Sequence, residues 1–309
     1  MRAGVITERG ATPKFTEFPT PVPSDGAVLI NMRTVGLGGW DVLGAYRIGE
    51  VFPCVVRAEG VGHTADGKHV YFGERAVPPY GAWAEQAIVP TPEVWEVPAG
   101  VSDRLAITMG IAATGAFVPL EQANIQRGET VLVLGATGVI GQIGLQLARH
   151  FGAGRVVGAA RNEAALARLK DRGIADEVVK LGTKEDVANL KAAAGGEGFD
   201  VVLDLVYGEP FLAALKATCW GARIKTIGRG AGVTATVPIG DMLFRTITVV
   251  GTGQRAPADR RKIWHHLLNI ARKEGIDVDY VTFPFDKPGE AWQAQANSPY
   301  AKIIATLTS

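Results

Sequence analysis

The run Val131-Leu-Val-Leu-Gly-Ala-Thr-Gly-Val-Ile-Gly141 constrains this chain more than any other stretch. Four apolar residues running into a glycine, then an amphipathic run to Gly152, read as strand, tight turn and helix. Ile140, Ile143, Leu147 and Phe151 recur at helical spacing, so one face of that helix packs on a sheet. A second apolar strand, 155–160, follows after one short turn and completes a βαβ crossover. Gly138 and Gly141, three apart, let main chain come close to a pyrophosphate lying on the amides of the helix N-terminus. The pattern therefore predicts a dinucleotide site made by Ala136, Thr137, Gly138, Val139, Ile140 and Gly141. Glycines alone would also suit a ligand-free turn, so the weight rests on the whole unit.

The end of the second strand speaks to which dinucleotide. An NAD site usually places Asp or Glu there to accept from the ribose 2′-hydroxyl, about twenty residues beyond the glycines. Ala160, Arg161 and Asn162 stand there instead. A guanidinium matches a 2′-phosphate by charge and by its forked donors, so Arg161 is expected to select NADPH. The competing reading of Arg161 is a solvated surface arginine.

With 309 residues the chain exceeds one such α/β unit and is expected to hold two domains. A net charge of +1 with no long basic or acidic run points to a small-molecule substrate, and away from nucleic acid and membrane surfaces. The first 25 residues lack a basic flank followed by an apolar core, and no segment approaches roughly eighteen uninterrupted apolar residues, so a cytoplasmic location is expected. Cys54 and Cys219 are too few and too far apart for a disulfide framework or a cysteine metal site, and read as packing residues.

Residues 1–120 carry Pro, Gly and short β-prone runs at 27–31, 51–56, 69–72 and 85–89, which predicts a β-rich domain. Across 121–255 strands alternate with helices, with strands expected at 177–179, 199–205, 222–227 and 246–251, and helices near 184–194 and from Pro210. This predicts a doubly wound parallel sheet. In 256–309 a long helix near 258–274 precedes β-prone residues 278–285, a short helix and a last strand, 301–307, and this tail is expected to complete the first domain. The ligand belongs in the cleft between domains, outside the carboxyl ends of the parallel strands.

Taken with the glycine turn, Gly36-Leu-Gly-Gly-Trp-Asp-Val42, Glu59-Gly-Val-Gly62, Gly81-Ala-Trp-Ala-Glu85, Phe199-Asp-Val-Val-Leu-Asp204 and Ala301-Lys-Ile-Ile304 resemble the medium-chain dehydrogenase/reductase superfamily, in its zinc-free quinone oxidoreductase-like branch. The resemblance covers nearly the whole chain. It implies an α/β fold with a GroES-like β-rich catalytic domain, a Rossmann domain, and usually a homodimer. Thr114 matches a position that touches the nicotinamide end in that family, and the turns after Leu205, Ile227 and Gly251, Gly228 among them, end sheet strands and are expected to edge the cofactor, a plain turn role being the alternative for each. Where zinc-dependent relatives carry a Cys and a His, this chain has Gly38 and Ala58, neither of which offers a ligand atom. Their proton-relaying hydroxyl residue falls on Trp40. His63, His69, His150, His265 and His266 lack ligand spacing, so no metal is expected. The glycine turn is also similar to the opening of extended short-chain dehydrogenases, but that family begins with the motif and needs a Tyr-x-x-x-Lys pair this chain lacks.

With NADPH and no Lewis acid, the accessible chemistry is hydride delivery to a quinone or to the activated C=C of an α,β-unsaturated carbonyl compound. The enolate that develops needs hydrogen-bond donors and then a proton. Tyr46 and Trp40 are the candidate catalytic residues, with Arg57, Tyr80, backbone amides and water as alternative donors. Asp41 and Glu59 read as architecture, holding backbone or pairing with a cation, and Arg57 either pairs with Glu59 or enters the pocket. The short link from Gly62 to Phe72 is expected to open one side of that pocket to a bulky substrate. The opposed reading is a non-catalytic NADPH-binding sensor or structural protein; a zinc alcohol dehydrogenase with relocated ligands is a third.

Overall fold

Alternating apolar residues near the amino terminus fold as antiparallel strands. The computed structural model describes residues 1–43, 51–251 and 255–307. The chain forms two compact units, Met1–Ile111 with Ala256–Ser309, and Ala112–Arg255.

In the first unit β1 (Arg2–Ile6) pairs antiparallel with β2 (Lys14–Glu17). The long β3 (Ala27–Leu37) leads into the short helix α1 (Gly39–Leu43), and β4 (Cys54–Val55) closes on β1. Next come β5 (Glu59–Thr64), β6 (His69–Phe72), β7 (Gln86–Pro90), β8 (Trp95–Glu96) and α2 (Asp103–Thr108), the last capped by Ser102, whose Oγ accepts from Leu105 N.

The second unit opens with α3 (Ile111–Ala123) and then alternates: β9 (Thr130–Leu134), α4 (Val139–His150), β10 (Arg155–Ala160), α5 (Glu163–Asp171), β11 (Glu177–Lys180), α6 (Asp186–Ala194) and β12 (Phe199–Asp204). It finishes with α7 (Gly208–Leu215), β13 (Thr218–Thr226), α8 (Ile239–Met242) and β14 (Thr246–Val249). The strands lie β11-β10-β9-β12-β13-β14, all parallel, so the order reverses between β9 and β12. Val131 to Leu134 and Val201 to Leu203 are wholly buried, as strands covered on both faces require.

The chain then returns to the first unit through α9 (Pro257–Glu274), β15 (Tyr280–Pro284), α10 (Pro288–Ala296) and β16 (Lys302–Thr306). β16 pairs antiparallel with β3, extending the sheet β15-β16-β3-β5-β6-β8. Its core gathers Ile30, Met32, Phe72, Trp83, Phe285 and Ile303. The indole N–H of Trp83 donates to Phe285 O (2.8 Å) and that of Trp264 to Ala106 O (2.9 Å), so neither buried tryptophan leaves its polar atom unpaired.

Two sequence expectations shift. The strand expected over 51–56 shrinks to β4, and the one over 222–227 begins four residues earlier as β13. Helices α2 and α3 fall in a region that reads as β-rich. α3 is buried nearly all round and carries Pro119 inside it, so it lacks the one-sided apolar stripe that reveals a helix in sequence.

Candidate functional site

The dinucleotide turn is built from the end of β9. Gly135 turns the chain at φ +78°, and its amide and that of Ala136 both donate to Ala159 O (2.8 and 3.2 Å). Gly138 N donates back to Gly135 O (3.1 Å), so these three amides are used inside the turn. The first bond within α4 runs from Gln142 N to Gly138 O (2.8 Å), which leaves the amides of Val139, Ile140 and Gly141 at the open helix head. Gln142 Nε2 fixes the buried Thr137 carbonyl (3.0 Å). A Cβ on Gly141 would lie 2.4 Å from Gly135 O and 2.6 Å from Ala136 Cα, so only glycine closes this turn. At Gly138 the same atom would meet nothing nearer than Gly135 O at 3.5 Å. Side-chain-free space of this kind at a helix N-terminus suits a diphosphate. Ala136 and Gly138 thus line the turn, while the amides of Val139, Ile140 and Gly141 face the open helix head.

At the end of β10, Ala160 is buried and Arg161 exposed. Arg161 has no hydrogen-bond or ion-pair partner among the described residues. The next acid along, Glu163, is taken by Lys180 (2.9 Å). Asn162 has a structural task, its Oδ1 accepting from Ala165 N (2.8 Å) to cap α5.

Beyond β12 the chain is held by the buried Asp204. Its Oδ1 accepts from Val206 N (3.0 Å) and Tyr207 N (2.8 Å), and its Oδ2 from Thr226 Oγ1 (3.0 Å). Burial raises its pKa against the pull of the Tyr207 and Val206 amides. Leu205 and Gly228 end neighbouring strands in close contact, for a Cβ on Gly228 would lie 1.9 Å from Leu205 O. Gly251 lies exposed just beyond β14. Thr114 sits half-buried on α3, beside Gly115, whose added Cβ would reach Ile140 Cδ1 at 3.5 Å.

The first unit holds a buried polar cluster. Both oxygens of Asp41 grip main chain, Oδ2 accepting from Gly38 N (2.9 Å) and Oδ1 from Ala58 N (3.2 Å). These are the two positions that lack zinc-ligand atoms. Burial pushes the Asp41 carboxyl up to about 7, the Gly38 amide opposing and the nearby Glu74 adding to the rise. Glu59 accepts from Lys302 Nζ (2.5 Å), Tyr71 OH (2.7 Å) and Ile111 N (2.9 Å). Asp41 and Glu59 therefore serve as architecture, as the sequence implies, and the cation beside Glu59 is Lys302 rather than Arg57. The charges of Arg75 and Arg57 lie near Glu74 instead, where they oppose the upward shift that burial imposes.

Trp40 lies half-exposed on α1, hydrogen-bonded through its side chain to Glu74. Tyr46 lies outside the described residues. Tyr80 packs edge-on against Phe18 (6.0 Å between ring centroids). Sequence reading misses Lys302, Tyr71 and Glu74. For Lys302 the one available mark is a cation set within the apolar strand at 301–304.

Both thiols are held above the ordinary cysteine range. Burial pushes Cys54 up to about 11, and burial with the Asp200 carboxylate does the same to Cys219. Among the described residues no group of three or more His, Cys, Asp or Glu side chains is placed to hold a metal ion. No described helix is long and apolar enough to cross a membrane.

Residues 139–269 match the family model for zinc-binding dehydrogenases. Quinone oxidoreductase-like protein 2 of Bos taurus is 29% identical over 252 residues, covering 77% of this chain and 71% of the bovine one. Its homolog in Nematostella vectensis is 27% identical over 222 residues, covering 69% of this chain and 60% of that protein, so the chain spans less than two thirds of that relative's length. Among solved structures, the quinone oxidoreductase of Thermus thermophilus, determined alone and with NADPH, superposes with a TM-score of 0.82 at 27% identity, covering 99% of this chain and 100% of that one.

Proposed function

The chain belongs to the medium-chain dehydrogenase/reductase superfamily, in its zinc-free quinone oxidoreductase-like branch, and from that membership we propose an NADPH-dependent reductase of quinones or of the activated C=C of α,β-unsaturated carbonyl compounds. The observation that carries the reading is Arg161, exposed at the end of β10 with no ion-pair partner among the described residues, one strand away from a glycine turn with three open amides. Val139, Ile140 and Gly141 would take the pyrophosphate, and the Arg161 fork the 2′-phosphate. When bound, NADPH supplies a hydride equivalent to an electrophilic carbon.

Gly38 and Ala58 offer no metal-ligand atoms, so charge developing on a substrate oxygen would be met by hydrogen-bond donors alone. Donors suffice where conjugation already spreads that charge, which favours quinones and enones over simple carbonyls. With Trp40 hydrogen-bonded to Glu74, Tyr46 is the side chain to which we assign oxyanion binding. Purified protein should oxidise NADPH when offered members of a panel of quinones and enones. NADPH binding without turnover across the whole panel would replace this reading with a binding protein.

We also assign a second copy of the chain to the outer edge of β14. Val249 is 80%, Trp220 78% and Phe244 66% exposed, with the last two rings stacked at 5.0 Å. β14 ends the parallel sheet, and among the described residues no further strand pairs with its outer side. Pairing antiparallel with its own copy about a two-fold axis would satisfy that side and cover the apolar side chains.

A further inference from the structure

Tyr207 occupies a backbone conformation, φ +57° and ψ −163°, that is almost exclusively glycine's. A glycine stands immediately after it, yet the chain places a large aromatic residue at the strained position. The strain is enforced from several sides. Asp204 Oδ1 holds the amides of both Val206 and Tyr207, Ala231 N donates to Val206 O (2.7 Å), and Gly208 follows at φ +65°. The phenol ring leans on the buried Phe211 with centroids 5.0 Å apart, and Tyr207 remains partly exposed. Conformations that are costly and over-determined in this way cluster where a fold positions a ligand.

The location fits. Tyr207 follows the carboxyl end of β12, at the point where the strand order reverses and ligands cross such sheets. Its loop touches the dinucleotide cradle, since a Cβ on Gly135 would lie 2.9 Å from Val206 Cγ1 and 3.4 Å from Leu205 Cβ. In the order β10-β9-β12, Arg161 stands on one side of the glycine turn and Tyr207 on the other. A dinucleotide with its phosphorylated adenosine at Arg161 and its pyrophosphate on α4 must run its second ribose and nicotinamide toward β12.

We propose that Tyr207 is a positioning residue for the nicotinamide-ribose half of the cofactor, its ring braced by Phe211 and aimed by the strained backbone. This rests on the NADPH reading above. It assigns the ring, not the hydroxyl, as the surface against which that half packs.

Three variants of the full chain separate the parts. Y207F keeps ring and strain, Y207A keeps the strain without the ring, and Y207G removes both. NADPH affinity by calorimetry should stay within about twofold of wild type in Y207F and fall about tenfold in Y207A and Y207G, the scale of one aromatic contact. Thermal melting of the ligand-free proteins should place Y207G a few degrees above Y207A, because glycine relieves the strain. The combination is diagnostic, since Gly should restore stability relative to Ala without restoring affinity. Affinity within twofold of wild type in Y207A or Y207G, affinity that recovers together with melting temperature in Y207G, a tenfold loss in Y207F, or a Y207G no more stable than Y207A would each overturn the proposal. Wild-type protein that does not bind NADPH would overturn the underlying reading as well, and is recognised before any variant is made.

Discussion

Lys302 Nζ donates to Glu59 Oε1 at 2.5 Å, with the two side chains 2% and 3% exposed, so residues 243 apart in sequence close one buried ion pair. It ties β16 to β5 through β3, and it joins the carboxyl-terminal return to the amino-terminal sheet of the same unit. The remaining Glu59 oxygen is shared by Tyr71 OH and Ile111 N, so three donors converge on that carboxylate.

Removing the cation alone should be severe. Lys302→Met strands a buried carboxylate and is expected to cost about 3–5 kcal/mol, whereas Glu59→Gln combined with Lys302→Met should recover much of that loss. Urea unfolding of the full chain, followed by tryptophan fluorescence, checks both. A Lys302→Met protein as stable as wild type contradicts the pairing.

Asp41 should give the first unit a pH-dependent stability. Its carboxyl titrates at about 7 when folded, against 3.8 for the free group, so between those values the folded state holds a proton that the unfolded chain has released. Stability from this residue is therefore full below about pH 4 and is lost as pH rises through about 7. Asp41→Asn should abolish that slope while lowering stability by about 1–2 kcal/mol, because an amide cannot accept from both Gly38 N and Ala58 N. Denaturation midpoints across this pH range, compared between wild type and variant, measure it.

The strand ends near the cofactor cradle should resist even one methyl group. Gly228→Ala places a Cβ 1.9 Å from Leu205 O and is expected to destabilise the second unit by about 1–3 kcal/mol while weakening NADPH binding. Gly240→Ala, with nothing within 4 Å of its new Cβ, should be neutral or slightly stabilising. Thermal melts with and without NADPH distinguish the two.

How much of this was legible in the sequence depends on how local each feature is. The turn at 135–141 could be read because its glycines answer to main chain a few residues away, as the clash of a Gly141 Cβ with Gly135 O makes explicit. The alternation of β9 to β14 with helices followed from apolar runs that both faces of a parallel sheet demand. Asn162 was legible only as one of the residues beside Arg161, and its capping bond to Ala165 N gives that side chain a structural task at the start of α5. α3 escaped because it is apolar nearly all round. The pairing of Glu59 with Lys302 escaped because nothing local announces a partner so far along the chain. The strain at Tyr207 escaped because a bulky aromatic residue gives no sequence sign of a glycine-like conformation.

The edge of β14 predicts assembly. Phe244→Asp should halve the molar mass measured by light scattering at micromolar concentration and leave NADPH binding unchanged, since its side chain is 66% exposed and it is none of the candidate cofactor residues. Wild-type protein that runs as a monomer contradicts a docked second copy.

Arg161 and the glycine turn are together proposed to bind a phosphorylated dinucleotide. Calorimetric titration of NADPH and NADH into wild type and Arg161→Ala tests it most directly. Wild type should prefer NADPH by about tenfold to a hundredfold, the scale of a charge-assisted bidentate contact, and Arg161→Ala should lose that preference while keeping its NADH affinity. A wild-type protein that binds NADH as tightly as NADPH, or an Arg161→Ala variant with the preference intact, would contradict it.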